Sequence, residues 1–158
     1  MNDSKAVKIV ESLTNEILDK LEMKPEELDI SVEVGDDEEV KYVSVVAKGE
    51  DLGDLIGYHG KTLEALQTLL GLVVGKESDR EYRVLLDVNE YKERRKEYLT
   101  SLAYRAVDQV KEANQEMELE PMKPFERRII HMALKEEDGI ETGSVGEGDE
   151  RRVVIKVV

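Results

Sequence analysis

Val10, Leu13, Ile17 and Leu21 recur at helical spacing among polar residues, which predicts an amphipathic helix over roughly residues 5 to 23, ended before Pro25. The period then falls to two. Leu28, Ile30, Val32 and Val34 alternate with Asp29, Ser31 and Glu33, the pattern of a half-buried strand. Gly35 and the acidic run Asp36 to Glu39 predict a turn, and the β-branched stretch Val40 to Ala47 a second strand, so the pair reads as a hairpin. Leu52, Leu55 and Ile56 suggest one helical turn that breaks at Gly57-Tyr58-His59-Gly60. Leu63, Leu66, Leu70 and Val73 then restore the helical period, and Tyr82, Val84, Leu86 and Val88 mark a third strand. A first unit of helix, strand, strand, helix, glycine loop, helix and strand is complete at that point.

Asn89 reads as the N-cap of a long helix whose inner face carries Tyr91, Tyr98, Leu102, Ala106 and Val110. Met117 and Leu119 alternate with glutamates in a short strand. Pro124, suited to a first helical turn, opens a helix running to about Lys135 and ended by Gly139. Two strands, Ile140 to Val145 and Glu150 to Val158, joined by Gly146-Glu147-Gly148-Asp149, close the pattern as a hairpin. No internal repeat, low-complexity tract or disordered linker interrupts it. The expected class is α+β, in two small domains: 5–88, a three-stranded sheet packed by helices, and 89–158, two helices on a small three-stranded sheet.

Composition agrees with two modest cores: the chain has 158 residues, 40% of them hydrophobic. No apolar run is long enough to cross a bilayer, and Met1-Asn2-Asp3-Ser4-Lys5 lacks the features of a signal peptide, so the cytoplasm is the expected location. Cysteine is absent, which excludes disulfides, thiolate metal sites and cysteine nucleophiles. Neither a metal nor a cofactor is expected. A formal charge of −14 weighs against nucleic acid, whose phosphates are bound mainly by Lys and Arg. The charge is uneven, however: net −8 over residues 1–50, −4 over 51–90, +2 over 91–135 and −4 over 136–158. Positive charge is local, and the remaining acidity reads as a solubilising surface.

A Gly-x-x-Gly tetrapeptide alone fits an ordinary turn. Here it lies between two short apolar helices and behind a hairpin, within Leu55-Ile56-Gly57-Tyr58-His59-Gly60-Lys61-Thr62-Leu63-Glu64-Ala65-Leu66-Gln67. That string and the element order resemble the KH domain in its bacterial form, over roughly residues 5 to 88. The resemblance implies that Gly57 and Gly60 let the backbone approach sugar and phosphate, with Lys61 and Thr62 at the start of the next helix. It makes Ile56 part of an apolar floor for bases. Related loops usually carry a basic residue between the glycines; Tyr58 and His59 stand there instead, so weaker phosphate attraction and stacking of Tyr58 on a base are expected.

In Pro124-Phe125-Glu126-Arg127-Arg128-Ile129-Ile130-His131, Arg127 and His131 are four apart and share a helix face. At about 100° per residue, Arg127, Arg128, His131 and Lys135 fall in one sector and Ile129, Ile130, Ala133 and Leu134 in the other. This stretch resembles the Arg-x-x-x-His domain, a single-stranded nucleic-acid module, over roughly Asn89 to Val158, with Arg151-Arg152-Val153-Val154-Ile155 fitting its last strand. The two units in this order resemble the bacterial Jag family, named for its link to a sporulation membrane-insertase operon. The resemblance implies binding of single-stranded RNA, with single-stranded DNA as a second substrate, and post-transcriptional control linked to cell elongation and division. It also implies a partner consisting of a single KH domain, or self-association, and a functional link to a membrane insertase. The nucleic-acid residues it singles out are Ile56, Gly57, Tyr58, His59, Gly60, Lys61 and Thr62 in the first unit and Arg127, Arg128, His131, Lys135, Arg151 and Arg152 in the second. Family members usually begin with a further small domain; the first helix here is expected to belong to the KH unit, with no such domain ahead of it. Two rival readings are a metal-dependent nuclease using His131 or Glu136 and Glu137, for which no catalytic motif assembles, and an acidic protein-interaction adaptor.

Overall fold

In a computed structural model that describes residues 1–36 and 40–158, the first helical period forms α1 (Asp3–Lys20), with Asn2 as a true cap: its side chain accepts the Lys5 N–H at 2.9 Å. The buried stripe is Ala6, Val10, Thr14 and Leu18. It differs from the expected one: Leu13 and Ile17 only flank the core, and Leu21 lies beyond the last turn, 49% exposed. The four-residue spacing follows one gently inclined row of the helix. Thr14 can sit in that row because its methyl packs as an apolar group, although its hydroxyl has no hydrogen-bond partner among the described residues.

β1 (Glu27–Val34) and β2 (Lys41–Lys48) pair antiparallel, Ile30 opposite Val45; most of the expected acidic turn, residues 37–39, lies outside the described residues. α2 (Gly53–Ile56), a 3-10 turn (Tyr58–Gly60) and α3 (Lys61–Glu77) cross over the sheet to β3 (Tyr82–Val88), which pairs parallel to β2. Parallel pairing requires such a crossover, so the glycine loop is part of the connection that closes the sheet. Strand order is β1-β2-β3. The alternation in β3 holds: Tyr82, Val84, Leu86 and Val88 are all buried, each apolar side chain contributing about 1.5–3 kcal/mol. In α3 the core takes Leu63, Leu70 and Val74, whereas the expected Val73 is 41% exposed. Lys41 bridges to Asp3 at 2.8 Å and the Tyr82 hydroxyl donates to the same carboxylate, pinning α1 across the sheet.

Two compact units result, Met1–Tyr91 and Lys92–Val158. Asn89, the expected cap, bridges to Gly49. Its amide accepts the Gly49 N–H at 3.0 Å and donates to the Gly49 carbonyl at 2.9 Å, while its own backbone turns left-handed with φ 51°.

α4 (Tyr91–Ala113) packs through Leu99, Ala103, Ala106, Val107 and Val110. The expected Ala106 and Val110 are buried, but Tyr98, expected inside, is 50% exposed and Leu102 only partly buried; Leu99 and Ala103, one residue later, take their places. Tyrosine satisfies an apolar pattern as well as a wet surface, so periodicity alone does not place it. β4 (Met117–Glu118), α5 (Pro124–Ala133), β5 (Ile140–Val145) and β6 (Arg152–Val157) complete the second unit, with sheet order β4-β6-β5. Two boundaries differ from expectation. α5 stops at Ala133, so Lys135 lies beyond the helix, and Glu150 belongs to a 3-10 turn (Gly148–Glu150) before β6. Among the described residues, no helix is long and apolar enough to cross a membrane.

Candidate nucleic-acid interface

The Gly57 N–H caps α2 by donating to the Gly53 carbonyl at 3.0 Å, after which the chain enters left-handed or extended conformations: Gly57 φ 69°, His59 φ 50°, Gly60 φ 76°. Both glycines are required by more than φ. A Cβ on Gly57 would be driven into the Thr62 hydroxyl, and a Cβ on Gly60 would lie 2.7 Å from the Tyr91 ring. The close approach they permit is therefore to the unit's own side chains. Folded this way, the loop lifts Tyr58 into solvent, 69% exposed, with its ring stacked on His59 at 3.9 Å and 21°. The Lys61 ammonium stands 5.9 Å from the Tyr58 ring centroid. Gly60, as N-cap of α3, supplies no side chain to the first-turn N–H groups, and the Lys61 N–H donates to the Tyr58 carbonyl. Lys61 and Thr62 are exposed at that end, while Ile56 is half-buried against the core.

The second unit spends its signature residues differently. Arg127 curls back to donate to the Met122 carbonyl at 2.8 Å. His131 is held at both ring nitrogens, Nδ1 to the Thr142 hydroxyl at 2.8 Å and Nε2 to the Ser144 hydroxyl at 3.2 Å. Thr142 and Ser144 are two apart on β5 and so face the same side. Burial, and then the neighbouring Arg127 charge, hold the His131 ring below the usual imidazole range, so at neutral pH it is uncharged. Arg151 donates to the Gly146 carbonyl at 2.8 Å and closes the hairpin. Arg152 meets the carboxylates of Glu150 at 3.2 Å and Glu118 at 3.7 Å. Arg128 and Lys135 are both exposed. Of the basic sector expected on α5, Arg127, Arg128 and His131 are on the helix; Lys135 is not.

Three features escaped the sequence reading. Glu126, 1% exposed, accepts the Arg95 Nε at 2.8 Å and the Lys123 N–H at 3.2 Å, joining α4 to the start of α5. A glutamate two residues after Pro124 is the available signal, since that is where a carboxylate reaches back to cap a helix. The Thr142-x-Ser144 spacing signals a polar strand face, and Phe125, 55% exposed, is an aromatic left in water at a helix start.

Residues 10–86 match the family model described as KhpA/KhpB, KH domain, and residues 97–157 match the model of the R-three-H domain, the Arg-x-x-x-His module. The chain is thus a tandem protein of a KH domain and an Arg-x-x-x-His domain. It is 47% identical over 130 residues to the RNA-binding protein KhpB of Clostridium symbiosum, covering 82% of this chain and 58% of that protein. Against the RNA-binding protein KhpB of Bacillus subtilis (strain 168) it is 39% identical over 120 residues, covering 75% of this chain and 58% of the relative. For the Streptococcus pneumoniae protein of the same name, serotype 2 strain D39, identity is 29% over 146 residues, 92% of this chain and 44% of the relative. The chain belongs to the Jag family, and it spans about half the length of these curated relatives.

Proposed function

We propose that this chain binds single-stranded RNA, with single-stranded DNA as a weaker competitor, through Ile56 to Thr62 of the KH unit and the Arg127, Arg128, His131, Lys135, Arg151 and Arg152 region of the second unit. The observation that carries the reading is the loop: an exposed Tyr58 ring, the Lys61 ammonium beside it and the uncapped start of α3 form one outward surface. It offers a base a π-face and a phosphate a cation beside the positive end of a helix. The relatives named as RNA-binding proteins support the same reading. In the second unit, Arg128 and Lys135 supply the charge, while Arg127 and His131 shape the surface. The reading extends to post-transcriptional control of cell elongation and division from the cytoplasm, the role implied by the family.

The test is a fluorescence titration against single-stranded RNA, single-stranded DNA and duplex, with Lys61→Gln and Arg128→Gln variants. Preference for single-stranded RNA, a shallow salt dependence of about −0.7 per phosphate contacted, and weakening in both variants are expected. Identical affinities in wild type and both variants would sink it. The net charge of −14 favours the rival adaptor reading, which predicts no binding to any of the three nucleic acids.

A further inference from the structure

Tyr98 lies on the flank of α4, outside the buried stripe, and half of it is exposed. Two guanidinium groups lie against its ring, Arg95 at 5.3 Å and Arg105 at 5.9 Å from the centroid. Helical spacing explains the grouping: 95, 98 and 105 fall within a sector of about 80° at 100° per residue. The two arginines are not equivalent. Arg95 is mostly buried and committed to Glu126 through Nε, which fixes it in place. Arg105 is exposed and, among the described residues, makes no ion pair within 4.0 Å, although Asp108 follows one turn later.

Acidic residues outnumber basic ones 37 to 23, and Arg95, Arg127, Arg151 and Arg152 all donate to protein oxygens. Arg105 instead rests on an aromatic ring, a contact that orders the guanidinium without using its N–H groups. The surrounding helix is locally positive: between Tyr91 and Arg105 there are five basic residues and two acidic ones. A pre-ordered guanidinium with its N–H fork unspent, in a positive stretch of an acidic protein, suits a bidentate contact to phosphate.

Resting on the RNA-binding reading above, we infer that Arg105, positioned by Tyr98, is a further phosphate contact for the backbone of single-stranded RNA, on α4 and separate from the α5 motif. Arg105 touches the ligand; Tyr98 is a positioning residue. The experiment is a salt-series titration of a fluorescent single-stranded RNA with Arg105→Gln, Arg105→Lys, Tyr98→Phe, Tyr98→Leu and the Arg105→Gln/Tyr98→Leu double variant, each checked by its melting curve.

Arg105→Gln is expected to weaken binding several-fold and to lower the slope of log K against log salt by about 0.7, the share of one phosphate on a single strand. Tyr98→Phe should bind as wild type, Tyr98→Leu should lose as much as Arg105→Gln, and the double variant should lose no more than either. Arg105→Lys should keep the slope but lose affinity. Lys61→Gln, in the loop, separates the two readings. If it weakens binding while Arg105→Gln changes neither affinity nor slope, the phosphate contact is overturned and RNA binding stands. Absence of binding by the wild type overturns both. A weaker Arg105→Gln with unchanged slope overturns the contact with phosphate.

Discussion

The two motifs that mark this chain look equivalent as strings, yet the structure uses them in opposite ways. In the KH loop the backbone carries the strain and the side chains face outward: three left-handed residues lift Tyr58 and Lys61 into water. In the second unit the backbone is ordinary helix and the side chains are committed, with Arg127 on a carbonyl and His131 clamped between two hydroxyls. A motif residue can thus be a ligand or a fixture. The difference decides whether its removal is felt in binding or in stability.

The contrast is most sharply tested at Glu126. Its replacement by Ala strands the largely buried Arg95 and should cost about 3–5 kcal/mol in urea unfolding of the second unit, with the first unit's transition unmoved. Arg95→Met with Glu126→Leu should recover most of that loss. Next in size is Gly60→Ala, which meets both a positive φ and the Tyr91 ring and should destabilise the first unit by about 1–3 kcal/mol. Weaker RNA binding by that variant reports folding as well as contact, so surface variants are the cleaner probe. Tyr58→Ala should leave the melting curve intact, because the ring is mostly in water, and should cost RNA affinity by roughly 1–3 kcal/mol for a stacked base. An unchanged affinity would mean that the stack on His59 leaves no face for a base.

The smallest effect concerns pH. Because the folded-state pKa of His131 lies below its ordinary value of 6.5, the unfolded chain takes up a proton first as pH falls. Its contribution is complete above about 6.5 and is lost on acidification down to the lowered value. Melting of the second unit should therefore drop more between pH 7 and pH 5 in wild type than in His131→Gln. Equal drops would remove His131 from the account.

Strands were more legible than helix faces. Tyr82, Val84, Leu86 and Val88 obey a period of two that allows no alternative, because a shift of one residue turns every side chain to the other face. On α1 and α4, by contrast, a shift of one residue changes the stripe by only about 100°, and the amphipathic Thr14 and Tyr98 let either choice satisfy the pattern. The loop was legible because its geometry is local, from Ile56 to Thr62. The surroundings of His131 were not: Thr142 and Ser144 reach it from β5 through tertiary packing that no short string encodes.

The strand order of the second sheet has a consequence for synthesis. Its central strand, β6, follows the other five described strands in sequence, and β4 and β5 pair with it and not with each other. On the ribosome, at roughly 5 to 20 residues per second, the KH unit can close its sheet while both earlier strands of the second unit wait for their common neighbour to emerge. The nascent chain thus carries a finished Tyr58 loop before its second unit exists.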